Sequence, residues 1–138
     1  MTIYIDENMP KHLAEGFHIL QKPEGIKTGV DIEVKYIPTV FGKGVADEEW
    51  IPQVGKEKGF VITQDINIGR RKHQIELYQK HGLGMFFLRG TSKKHGLNVW
   101  QMVETLAKNW PEITNIVQTQ KTPFAYQIAP KGKLKKLT

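Results

Sequence analysis

Apolar and polar positions alternate along the chain between short β-prone runs and stretches with helical spacing. "TIYI" (2–5) reads as a strand that ends at Asp6. In "ENMPKHLAEGFHILQK", Leu13, Phe17 and Leu20 recur at i, i+4 and i+7, with Asn8 as N-cap and Pro10 in the first turn, which predicts a helix despite Gly16. "PEGIKTGVD" is rich in turn formers and predicts a loop, after which "IEVKYIP" alternates as a strand does. In "VADEEWIPQVGKEKG", Trp50, Ile51 and Val54 share a helical face, and Pro52 sets the start of a short helix close to Glu48. "FVIT" predicts a strand and "RRKHQIELYQKH" a helix. "GMFFLRG" has the near-continuous apolar character of a strand covered on both faces of a parallel sheet. Leu97, Trp100, Val103, Leu106 and Trp110, at spacings of 3, 3, 3 and 4, predict a core-facing helix. Phe124, Tyr126 and Ile128 alternate like a late strand before the basic "KGKLKKLT".

This order, β-α-β-α-β-α-β-α-β, predicts a doubly wound α/β fold around a mostly parallel sheet, because parallel neighbours need crossover connections. A length of 138 residues fits a single domain spanning 1–138, with a basic tail at about 130–138. The absence of cysteine excludes disulfides, thiolate zinc sites and thiol catalysis. The N-terminal "MTIYIDENMPKH" lacks a basic segment followed by an apolar core, and nowhere do 18 apolar residues run together. The expectation is a cytoplasmic chain with no membrane partner.

Charge changes this picture more than composition does. Residues 1–65 carry 7 Lys+Arg against 11 Asp+Glu, net −4, whereas residues 66–138 carry 13 against 3, net +10. A basic half suits a polyanion, since Lys and Arg that displace counterions from phosphates drive binding; a solvated basic surface is the plainer explanation. In open α/β sheets, sites form beyond the carboxyl ends of the strands. Asp6 follows the first strand and Asp65 the strand "FVIT", while Asp47 and Glu48 open the helix before it. Each acid has a structural explanation as a cap or turn residue. Together they form a cluster whose mutual repulsion calls for a divalent cation or for protons, and oxygen-only ligands suit Mg²⁺ or Mn²⁺. His12, His18, His73, His81 and His95 show no close ligand pairing and are assigned to surface or core.

Taken together, "IYIDENMP", "GKGVADEEWI" and "VITQDINIGRR" resemble the PIN-like domain proteins over roughly residues 3–90. The resemblance implies a three-layer α/β/α sandwich with a mostly parallel sheet. It also implies a Mg²⁺- or Mn²⁺-dependent endoribonuclease, the toxin of a toxin–antitoxin pair. By position, the metal-holding catalytic acids are Asp6, Asp47 and Asp65, with Glu48 the alternative to Asp47 and with Asn8, Thr63 and Asn67 in support. Asn67 departs from the pattern: many such nucleases carry a fourth acid there. Arg70, Arg71, Lys72, Lys93 and Lys94 would hold RNA, and a cognate antitoxin or a second copy of the chain are the protein partners this class allows. The rivals are a PIN-like module that binds nucleic acid or protein without cutting, and, ranked low, a phosphoryl-accepting receiver domain, whose late-strand Lys is replaced by Arg89.

Overall fold

A computed structural model describes residues 1–65, 68–90, 96–131 and 133–137, and of Asp65 and Ile68 the backbone alone. The elements in chain order are β1 (Thr2–Ile5), α1 (Lys11–Thr28), β2 (Glu33–Tyr36), α2 (Ile37–Phe41), α3 (Asp47–Lys56), β3 (Phe60–Asp65), α4 (Ile68–His81), β4 (Gly84–Arg89), α5 (Val99–Thr119), β5 (Phe124–Ile128) and β6 (Lys135–Lys136). They build one sheet of order β2-β1-β3-β4-β5-β6. The first four pairings are parallel and β5 pairs with β6 antiparallel. Parallel strands leave all their carboxyl ends on one rim, so Asp6, Asp65, Arg89 and Ala129 emerge along the same edge.

Strand alternation divides the core between two faces. Ile3, Ile5, Phe60, Ile62, Phe86, Leu88 and Phe124 pack under α1 and α5. Tyr4, Val61, Met85, Phe87 and Ala125 pack under α2, α3 and α4 through Ile37, Trp50, Ile51, Val54 and Tyr78. This is a three-layer α/β/α arrangement, and the buried "GMFFL" of β4 lies in the middle of the sheet between β3 and β5. No helix among the described residues is long and apolar enough to cross a membrane.

Several expectations are corrected. Helix α1 does not stop at Pro23 but runs through "PEGIKT" to Gly29, whose φ of 74° lets its N–H reach the Gly25 carbonyl at 2.9 Å. Gly25 marks a close approach rather than a turn: a Cβ there would meet the Val30 carbonyl oxygen at 2.7 Å. Pro10 is the N-cap in place of Asn8. Leu20 is exposed, while Gln21 completes the buried row of Leu13 and Phe17 and accepts a hydrogen bond of 2.8 Å from the Trp110 indole. In α5, Trp100 is 77% exposed and Leu97 precedes the helix. Three successive steps of three residues rotate about 180° around a helix, so those positions could not share a face. Met102, Leu106, Asn109, Ile113 and Ile116 form the buried stripe instead, behind a capping box of Asn98 and Gln101. Part of the basic tail returns as β6 beside β5, with the Leu137 N–H donating to the Ala125 carbonyl at 2.8 Å.

Candidate functional site

Asp6 stands one residue past β1, where its backbone N–H still donates to the Ile62 carbonyl of β3 at 3.0 Å. That bond extends the parallel ladder and fixes the residue at the rim, on the α3–α4 face. Its side chain is 1% exposed. Oδ1 accepts the Glu7 N–H at 2.7 Å and Oδ2 accepts the Thr63 hydroxyl at 2.6 Å. Hydrogen bonding to both oxygens compensates the carboxylate for its burial. Asn8, freed from capping, straps the turn to β3: its Nδ2 donates to the Gln64 carbonyl at 3.0 Å and its Oδ1 accepts the Gln64 N–H at 3.3 Å.

Asp47 opens α3, where a carboxylate is favoured by the exposed N–H groups of the first turn. Its Oδ1 accepts the Trp50 indole N–H at 3.0 Å, which ties it to the core. Arg70, in the first turn of α4, then joins the two acids. Its Nη2 lies 2.9 Å from Asp6 Oδ2, 3.2 Å from Asp6 Oδ1 and 3.1 Å from Asp47 Oδ1, and its Nε donates to Asp47 Oδ2 at 3.3 Å. Burial opposes the guanidinium charge, but the Asp47 hydrogen bonds and the charges of Asp6 and Asp47 outweigh it and raise the Arg70 pKa. The neutralisation expected of a divalent cation or of protons is thus supplied here by an arginine.

The remaining predicted residues separate around this centre. Glu48 turns to the His73 ring rather than to Asp6, giving a second clip between α3 and α4. Its own backbone N–H and His73 lower its pKa. Arg71 lies over the Phe87 ring at 5.8 Å. Lys72 is exposed on α4. Asp65 ends β3 with its backbone in register with Arg89. Its side chain lies outside the described residues, as do Asn67, Lys93 and Lys94. Sequence reasoning missed the inward role of Arg70 and the ring partner of Glu48. Neither contact had a local signal, since Arg70 is 23 residues from Asp47 and His73 is 25 from Glu48, on different helices.

Residues 1–90 match a family model described as a PIN like domain. The chain belongs to the PIN-like domain family. Members of that family are generally nucleases, and therefore hydrolases. The comparisons with curated proteins and with solved structures found no match.

In this PIN-like domain no three His, Cys, Asp or Glu side chains gather as a metal-holding group among the described residues. The donor chemistry nevertheless suits a hard cation. One nitrogen of Arg70 is within 3.2 Å of three carboxylate oxygens, from Asp6 just past β1 and Asp47 at the start of α3, so the fold brings two acids to a single cationic point. Carboxylate oxygens are the ligand type a hard divalent cation takes, and here the Arg70 guanidinium occupies them.

Proposed function

We propose that this PIN-like domain is a metal-dependent endoribonuclease, the toxin of a cytoplasmic toxin–antitoxin pair, with RNA as substrate and a cognate antitoxin as partner. The observation that carries the proposal is the convergence of Asp6 and Asp47 on the Arg70 guanidinium at the carboxyl rim of the sheet. Asp6, Asp47 and Asp65 would hold Mg²⁺ or Mn²⁺, with Glu48 the alternative to Asp47. When bound, the ion would supply an activated water and charge stabilisation for phosphodiester hydrolysis. Thr63 and the Glu7 N–H orient the Asp6 carboxylate, and the Trp50 indole orients that of Asp47. Arg70 competes for the same oxygens and keeps the acids paired when no ion is present.

One observation favours the non-catalytic rival: Arg70 already neutralises the two acids, which is a stable arrangement for a module that only binds. Incubation of purified protein with RNA separates the two. The nuclease cuts with Mg²⁺ or Mn²⁺, stops with EDTA and loses activity in Asp6→Asn. Binding without cutting under any divalent ion would overturn the enzyme reading and favour the module.

A further inference from the structure

The two arginines expected to hold RNA are both committed inward, Arg70 to Asp6 and Asp47 and Arg71 to the Phe87 ring. A different cationic feature lies on the same rim. Past the ends of β4 and β5 a cavity of about 390 Å³ is lined by Arg89, Gly90, Ala129, Pro130 and Lys131. Arg89 and Lys131 are exposed, and among the described residues neither pairs with a carboxylate. No acid follows Glu112, while Lys131, Lys133, Lys135 and Lys136 do.

Its position relates it to the acids. Arg89 is in register with Asp65 on the adjacent strand. It alternates with Phe87 and Met85 onto the sheet face that also carries Asp6. Two strand spacings, about 10 Å, separate β4 from β1 along the rim. The reversal from β5 into β6 brings Lys131 to the same end of the sheet. We infer that the Arg89–Lys131 cavity is a phosphate-binding subsite for the backbone of a single-stranded RNA lying across the rim. The RNA ligand rests on the function proposed above. The contact itself needs only two cations and a phosphodiester, in a cavity of a size common for ligand sites.

The test measures binding of a fluorescent single-stranded RNA by anisotropy, in EDTA, at several salt concentrations. Arg89→Ala combined with Lys131→Ala is compared with Lys22→Ala combined with Lys27→Ala, which removes equal charge from exposed positions on α1. Each lost phosphate contact lowers the slope of log affinity against log salt by about 0.7, so the rim variant should lose roughly 1.4 and the α1 variant little. Equal slopes for both variants, or no RNA binding by the wild type, would overturn the subsite. Because EDTA removes cutting from the measurement, the two proposals fail separately. Slope loss in a protein that never cuts RNA leaves the subsite and removes the nuclease; cutting with an unchanged slope does the reverse.

Discussion

Arg70→Ala probes how the two acids coexist. Their oxygens lie within 2.9 and 3.1 Å of the same Arg70 nitrogen. They are therefore at most about 6 Å apart, and two unit charges at that distance repel by about 3 kcal/mol at an effective dielectric of 20. Arg70 is 34% exposed, so water entering its place would screen part of this. A net cost of about 2 kcal/mol is consistent with breaking a partly buried ion pair. For a domain of this size that is a fall in melting temperature of roughly 6–10 °C. Mn²⁺ should then stabilise the variant more than the wild type. The wild type must give up the arginine contacts to admit the ion and the variant need not, so the variant should bind Mn²⁺ roughly 30-fold more tightly for a 2 kcal/mol difference. Circular-dichroism melts in EDTA and in millimolar Mn²⁺ read both effects. A variant that melts with the wild type in EDTA, or that gains no more from Mn²⁺ than the wild type does, would refute the competition.

Other consequences follow from single groups. Tyr4 donates to Glu57 Oε2 at 2.6 Å, and burial, then that bond, raises its pKa above the usual 10. A raised folded-state pKa contributes stability that is complete below pH 10 and is lost as pH climbs further. Tyr4→Phe should therefore cost about 1 kcal/mol near neutrality and show a shallower loss of melting temperature above pH 10 than the wild type; parallel alkaline profiles would contradict this. Gln74 is 2% exposed and its Nε2 finds no acceptor among the described residues. Gln74→Leu should raise stability by about 1 kcal/mol, read as a higher denaturation midpoint in urea, and a lower midpoint would refute it.

The fold was legible where a local signal agreed with its surroundings. "TIYI", "FVIT" and "GMFFLR" are β-prone runs whose burial on a parallel sheet matches their composition, and Trp50, Ile51 and Val54 reach the core as their spacing predicts. Legibility failed where tertiary context decided. Pro23 and Gly25 look like a loop, yet α1 continues because Gly29 supplies the left-handed stop and Gly25 makes room for the Val30 carbonyl. Trp100 looks like core until the 3.6-residue period is applied through Met102 and Leu106. The positions of Asp6 and Asp47 were readable from element ends. The partner of each was not, because Arg70 is 64 residues from Asp6 and 23 from Asp47, and no short-range pattern encodes such contacts.

RNA cleavage by Asp47→Asn and Glu48→Gln, assayed side by side with Mn²⁺, tests the centre most directly, because these adjacent acids face different partners. A centre built on Asp6 and Asp47 requires that Asp47→Asn lose activity, since Asp47 stands with Asp6 on Arg70. Glu48→Gln should stay close to the wild type, since Glu48 is exposed on His73. Lost activity in Glu48→Gln with activity kept in Asp47→Asn would contradict it.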